Sequence, residues 1–395
     1  MPDYQVASYW PFIINAPLWT TMVYLVVYGQ HITYSQRLIP GFLTLSGLMI
    51  VLPLVAKVGG TTGFYICDVV LILIGISSGM CQGTAFQMAS AFPPSYMAAV
   101  MLGNGLAGFG TNLLRAGTLL LWPADQSENN EFIGAFSLFM IAFAVLFSCG
   151  MAQMCLRKNP FAIYYLKQVE RRVTTVPTES SEQADLLLNQ TPNSTQSNSV
   201  LASQNDPEKL SLSKYIAQAK ANIKMTDGLL AALIYVFVLT FICFPGLIED
   251  CKIKFMQDVK NYDSWFNLLI QSVFNIFDSI GRYLGGVPAL LLTNNTIKIS
   301  SLTRTVFLAT CLMISFEVPP SAVFSSDWFV LLNLALFSIT NGYISTLCAI
   351  KAPMSVEGEA KGQVGGFVGI TISTGIVLGS LLAFLMAFVI KASPV

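Results

Sequence analysis

The chain has 395 residues, of which 21 are basic and 21 acidic, so its formal net charge is zero and no nucleic-acid partner is expected. Charged residues make up 11% of the chain and hydrophobic residues 54%, with a mean hydropathy of +0.63. Soluble domains carry about 25% charged residues. The composition therefore excludes an ordinary soluble protein and predicts an all-α, multi-pass membrane protein surrounded by the lipid bilayer.

Ten apolar stretches are long enough to cross a hydrocarbon core of about 30 Å, which takes roughly 20 residues. In chain order they cover residues 8–30, 38–57, 64–90, 95–121, 132–155, 227–248, 264–292, 300–318, 327–350 and 363–391. The sequence thus predicts about ten transmembrane helices in two bundles of five. The N-terminal bundle takes residues 1–158 and the C-terminal bundle residues 226–395.

A polar segment over residues 159–225 separates the two bundles. Its middle part, 174–207, is rich in Ser, Thr, Gln and Asn and has no apolar period, which predicts a largely disordered linker. Lys and Arg residues at both of its ends predict a cytoplasmic position, with both chain termini on the other side. We expect the plasma membrane as the location.

One face of the stretch 264–292 carries polar side chains. At about 100° per residue, Gln271, Asn275, Asp278 and Arg282 fall within one narrow stripe, and Asp278 and Arg282 are close enough along the helix to meet. A lone charge at the bilayer centre costs from about 2.5 to more than 10 kcal/mol. The stripe must therefore face the bundle interior or a wet cavity. It is either a substrate site or a structural ion pair that fixes helix packing.

Two further polar residues lie in the N-terminal bundle. The amide of Gln82 suits either hydrogen bonding to a substrate or contact between helices. Arg115 is a deep charge that either neutralises Asp278 or extends towards a membrane interface. The sequence has no metal-ligand cluster and no nucleophile with a positioned base, so neither an enzyme nor a cofactor is expected.

Several of these segments resemble the equilibrative nucleoside transporter family. Residues 274–282, Phe-Asn-Ile-Phe-Asp-Ser-Ile-Gly-Arg, look like the family signature F-N-x-x-D-x-x-G-R. The resemblance continues in Pro94-Ser95-Tyr96, in Phe244-Pro245-Gly246, and in Asn341-Gly342-Tyr343 with Ala352-Pro353. These matches extend in order over nearly the whole chain.

The resemblance implies a fold like the major facilitator superfamily and facilitated movement of nucleosides, sometimes nucleobases, by alternating access. The alternatives are proton-coupled transport and an inactive or regulatory homologue. The implied polar contacts to base or ribose are Gln82, Asn275, Asp278 and Arg282, and the implied apolar contacts are Leu18, Phe244 and Ile376. Arg115 stays a structural or coupling charge, and the oligomeric state is not predicted.

The resemblance also implies a difference in helix number. The family usually has eleven helices, and residues 8–30 look like its second helix. We therefore expect the chain to lack the usual first transmembrane helix.

Overall fold

The structure, a computed structural model, describes residues 6–29, 32–58, 60–122, 128–166, 207–248, 253–257, 262–315, 321–324 and 326–392. Within these ranges the regular structure is helical. The first group of helices is α1 Val6–Tyr28, α2 Tyr34–Ala56, α3 Gly60–Ala91, α4 Pro94–Leu121 and α5 Glu128–Leu156, followed by a short helix over residues 160–166. Helix α6, Pro207–Met225, precedes the second group.

The second group begins with α7, Leu229–Phe241, which a π-helical turn, Ile242–Leu247, extends. It continues with α8 Tyr262–Gly285, α9 Asn294–Thr303, α10 Thr305–Ser315, α11 Asp327–Met354 and α12 Ala360–Ala392. Single turns of helix cover Lys254–Met256, Pro288–Leu290 and Ser321–Phe324.

Each of the ten predicted apolar stretches contains a long helix or two joined helices. Within the described residues, eight spans are long and apolar enough to cross a membrane. The other two predicted spans are α1, with a shorter apolar part at Phe12–Tyr28, and α8, which carries the polar stripe. The chain is an integral, multi-pass membrane protein.

Helix ends follow local chemistry. Thr33 begins α2 with a capping box, in which the backbone N–H of Thr33 donates to Oε1 of Gln36 at 3.1 Å. Pro94 begins α4, where its missing N–H leaves no hydrogen bond unmade. Gly228 has a φ of 75° and links α6 to α7 in a tight turn that favours glycine.

In the first group, α1 runs parallel to α3 and packs closely on it, while α2 packs on both α3 and α5. In the second group, α8 crosses α11 where Gly281 and Gly342 bring the two backbones together, and α12 packs on α7. Small residues let helix backbones approach closely, which is a main source of helix association in lipid.

The two groups meet along several helix pairs, and two of these pairs form the seams used below. In the α3–α12 seam, Phe86 and Ser90 of α3 pack against Gly365 of α12. In the α4–α8 seam, Gly105 of α4 packs against Ser279 of α8. Both seams lie towards the C-terminal ends of α3 and α8 and the N-terminal ends of α4 and α12.

Helix α6 lies on this same side, which we call the α6 side. Asn222 donates from Nδ2 to Oε1 of Gln363, near the start of α12, at 2.6 Å. The hydroxyl of Tyr215 donates to the backbone carbonyl of Val26, near the end of α1. Helix α6 therefore contacts both groups on the side where they are packed together.

Some boundaries differ from the predicted ones. Helix α8 ends at Gly285 instead of continuing to 292, since a loop with Pro288 follows. The stretch 300–318 begins earlier, at Asn294, and is broken at Arg304 between α9 and α10. Segment 159–225 carries helices at both ends that were not predicted, and residues 174–206 of the predicted linker lie outside the described residues.

Candidate functional site

The polar stripe of α8 becomes more buried along the helix. Gln271 is exposed and Asn275 is half-buried. Asp278 and Arg282 are only 3% and 7% exposed. The stripe therefore begins at an accessible surface and ends under the α4–α8 seam on the α6 side.

Asp278 and Arg282 form the ion pair that their spacing predicts. Nε of Arg282 donates to Oδ2 of Asp278 at 2.6 Å. The other carboxylate oxygen, Oδ1, accepts from Nδ2 of Asn341 on α11 at 2.8 Å. Both carboxylate oxygens thus have a partner, as burial of a charge requires.

Arg282 also reaches across to the first group. Its Nη1 donates to the backbone carbonyl of Met101 on α4 at 3.2 Å. The δ-carbon of Arg282 is 3.0 Å from the place where a Cβ on Gly105 would be. The guanidinium therefore belongs to the α4–α8 seam as well as to the ion pair.

A second buried arginine lies behind this pair. Arg304, 2% exposed, donates from Nη2 to the hydroxyl of Thr240 on α7 at 3.2 Å. Thr240 in turn is 2.7 Å from Oδ1 of Asn341. Sequence reasoning missed Arg304 and Thr240. A charge inside the apolar stretch 300–318 was the signal for Arg304, and a lone threonine offered none.

Two amides with free hydrogen-bonding capacity lie on the inner helices. Gln82 on α3 and Asn275 on α8 are both half-buried. Among the described residues neither side chain has a hydrogen-bond partner. Oδ1 of Asn275 is 2.6 Å from the Cβ position of Gly108, so a larger residue there would push the amide aside. A half-buried amide without a protein partner is available to a polar ligand.

The three predicted apolar contacts occupy different surroundings. Phe244 is half-buried in the π-helical turn of α7 and stacks on Phe274 of α8, with ring centroids 4.3 Å apart and planes at 4°. Ile376 of α12 is half-buried against the central core cluster. Leu18 is 9% exposed, because its backbone carbonyl packs on Gly79 of α3.

Arg115 does not neutralise Asp278. Its side chain is exposed on α4, and within the described residues it makes no ion pair or hydrogen bond. The partners of Asp278 are Arg282 and Asn341, so that interpretation of Arg115 is wrong. The remaining interpretation is extension towards a membrane interface.

The arrangement is suited to binding rather than to bond chemistry. On α8 it combines the Asp278 carboxylate, the Arg282 guanidinium, the Asn275 amide and the ring of Phe274 stacked on Phe244, whereas Gln82 lies on α3 in the other group. Such groups match a ligand with hydroxyls, ring nitrogens or carbonyls, and a flat ring. Within the described residues no cluster of three or more His, Cys, Asp or Glu side chains is arranged to hold a metal ion.

Comparison with known sequences identifies relatives along most of the chain. A sequence model of the family described as "Nucleoside transporter" matches residues 68–388. Human equilibrative nucleoside transporter 1 is 26% identical over 349 residues, which cover 83% of this chain and 70% of that protein. Equilibrative nucleotide transporter 1 of Arabidopsis thaliana is 24% identical over 349 residues, covering 85% and 67%. Both of these relatives are named as transporters.

Comparison with solved structures gives the fold. A fucose:proton symporter of E. coli aligns with a TM-score of 0.55 and 15% identity over 98% of this chain and 87% of that one. The proton:xylose symporter XylE aligns with a TM-score of 0.54 and 11% identity over 96% and 79%. The predicted two-bundle fold of the major facilitator superfamily is confirmed.

Proposed function

Because the chain belongs to the nucleoside transporter family, we propose that it moves nucleosides, and some nucleobases, across a membrane by facilitated transport with alternating access. The observation that carries the proposal is the buried Asp278–Arg282 pair, next to the unpartnered amide of Asn275 on the same helix face. Two charges inside a membrane protein are costly to keep, which favours a functional role for them.

In the proposed complex, the polar groups divide between the two parts of a nucleoside. Asp278 and Arg282 bind the ribose hydroxyls, because a carboxylate accepts from a hydroxyl and a guanidinium donates to one. Asn275 adds a further polar contact on α8, and Gln82 binds the edge of the base. Leu18, Phe244 and Ile376 supply apolar contacts to the ring.

The packing of the two groups supports one state of an alternating cycle. The seams bring the groups together on the α6 side, while the stripe of α8 is accessible from Gln271 on the other side. Basic residues at the ends of segment 159–225 support a cytoplasmic position for the α6 side. In the plasma membrane, this state would be closed to the cytoplasm and open to the outside.

The test is uptake of radiolabelled uridine, adenosine and hypoxanthine in cells that lack nucleoside transporters. We expect saturable uptake of at least one nucleoside, abolished by excess unlabelled substrate. Surface-expressed protein that moves none of the three would overturn the proposal. Imposing an inward proton gradient in the same assay is expected not to drive accumulation, and accumulation against the nucleoside gradient would show coupled instead of facilitated transport.

A further inference from the structure

Arg304 is a buried cation placed behind the binding site and not in it. It lies where α9 ends and α10 begins, and its side chain reaches between α7 and α11. Nη1 donates to the carbonyl of Val236 at 3.2 Å, and Nε donates to the hydroxyl of Thr340 at 3.3 Å. Its guanidinium carbon is 4.8 Å from the centre of the Phe337 ring.

The contact between Arg304 and Thr240 sets the direction of the next hydrogen bond. A threonine hydroxyl has one proton to donate and accepts with its lone pairs. It accepts from Nη2 of Arg304 at 3.2 Å and lies 2.7 Å from two acceptors, Oδ1 of Asn341 and the backbone carbonyl of Val236. The single proton of Thr240 serves one of them at a time, and the relay is the arrangement in which it points to Asn341.

The carboxylate of Asp278 decides how Asn341 is oriented, because it only accepts. The amide turns its nitrogen to Oδ1 of Asp278, at 2.8 Å, and this leaves its oxygen facing the hydroxyl of Thr240. The reverse orientation would place the amide oxygen against a carboxylate oxygen, and neither can donate. With the proton of Thr240 on Asn341 and not on Val236, each donor from Arg304 onwards points towards Asp278, and such chains strengthen cooperatively in a dry interior.

We propose that Arg304 is a positioning residue for substrate recognition, which acts through Thr240 and Asn341 to hold the Asp278 carboxylate in place for the ribose hydroxyls. The proposal rests on the proposed function, in which Asp278 binds substrate. The chain of donors supplies one of the two fixed contacts of the carboxylate, and Arg282 supplies the other. Without the chain, the oxygen of Asn341 has no partner to fix it, so the amide holds the Asp278 carboxylate less firmly.

Arg304 also ties α7 to α11, so a purely structural role must be separated from positioning. The chain provides a matched pair of variants for this purpose. T240V removes the hydroxyl that relays to Asn341, whereas T340V removes a different hydroxyl that accepts from the same guanidinium. T240S keeps the relaying hydroxyl and is the conservative rescue.

The experiment compares uptake of adenosine with that of 3′-deoxyadenosine for wild type and the three variants, normalised to protein at the cell surface. Wild type, T340V and T240S are expected to prefer adenosine equally. In T240V the ratio of adenosine uptake to 3′-deoxyadenosine uptake is expected to fall about tenfold, which corresponds to the loss of one charge-assisted hydrogen bond. The fall should come mainly from a higher KM for adenosine. A general loss of structure would lower uptake of both substrates alike and leave their ratio unchanged.

The possible results distinguish failure of the relay from failure of the proposed function. Equal preference in T240V and T340V would overturn the relay while leaving the proposed function intact. Absence of uptake by wild type would overturn the proposed function itself. If T240V does not reach the surface, R304K is measured instead. It keeps the charge but cannot donate to Val236, Thr240 and Thr340 together, so it should lose the preference, and an unchanged preference would overturn the relay.

Discussion

Asp278 is buried with both of its oxygens occupied, so replacing it removes more than a charge. In D278N the Arg282 guanidinium stays buried without its counter-ion, and breaking a buried pair from one side costs about 3–5 kcal/mol. We expect D278N to lose transport and to unfold at a lower temperature in detergent. Uptake per surface molecule and thermal unfolding of the purified protein are the two measurements.

A matched control for this variant lies on the same helix. Asp263 is an exposed residue in the first turn of α8, where a carboxylate contributes only about 0.3–1 kcal/mol. D263N should therefore transport like wild type. Normal uptake by both variants would make the Asp278–Arg282 pair dispensable and leave the stripe with a packing role.

For individual residues of the site, the sequence predicts only those contacts that follow from spacing within one helix. Asp278 and Arg282 were found because both charges stand out in an apolar stretch and lie one helical turn apart. Arg304 also stands out, but its partners Val236 and Thr240 are 68 and 64 positions away. No periodicity within one helix connects residues so distant, so the second half of the network required the fold.

Among the helices, the crossing of α8 and α11 depends on the absence of side-chain atoms. A Cβ on Gly281 would lie 2.8 Å from the backbone nitrogen of Tyr343, and backbone cannot move aside as a side chain can. We expect G281A to lower stability by about 1–3 kcal/mol or more, the usual cost of overpacking. The measurement is the fraction of protein that stays monodisperse after heating in detergent.

Gly47 in α2 provides the comparison, because a Cβ there would meet nothing within 4 Å. G47A should match or slightly exceed wild type, since alanine favours helix more than glycine does. Equal stability of G281A and G47A would mean that α8 and α11 are packed less closely in the protein than in this structure.

Hydropathy predicted where the membrane helices lie, but it did not predict the break at Arg304 or the polar helix α6. Every long apolar stretch is helical because the bilayer leaves backbone groups no partners outside the segment. The break at Arg304 is different, since it depends on acceptors in α7 and α11 that draw the side chain inwards. Helix α6 has a polar sequence and was missed for the same reason, because its contacts are with Val26 and Gln363, far away in the chain.

For the whole molecule, the side of the membrane on which segment 159–225 lies is a prediction that one tag can test. An epitope inserted near Ser197 should be reached by antibody only after cells are permeabilised, and transport should be retained, because the composition of 174–207 cannot support a core. A tag inserted between residues 316 and 320, which the predicted topology puts on the opposite side of the membrane, is the control and should stain intact cells. The reverse pattern would invert the topology.

The packing of the two groups on the α6 side gives a further prediction for the molecule as a whole. A Cβ on Gly365 would lie 2.6 Å from the carbonyl of Phe86, so G365A should force the α3–α12 seam apart. Conformational states of transporters differ by a few kcal/mol, which overpacking of about 1–3 kcal/mol can shift. We expect faster hydrogen–deuterium exchange at 84–92 and 361–370 in G365A, together with slower uptake.

Gly103 on α4 is the control for this variant, because a Cβ there would meet nothing within 4 Å. G103A should exchange like wild type at both segments. Unchanged exchange in G365A would show that the seam is not closed in the membrane. This state could not be predicted from sequence, since it depends on contacts between segments about 275 positions apart, such as Ser90 and Gly365.

The glycine contacts of the α3–α12 seam also decide how the seam comes apart. Dispersion between atoms in contact falls steeply with distance, and a gap of about 0.5–1 Å already forfeits a quarter to a half of it. A seam that depends on such contacts is therefore barely stabilised when it is half open. Its opening is therefore expected to be abrupt, with the two groups of helices either fully engaged or fully parted and few molecules in between.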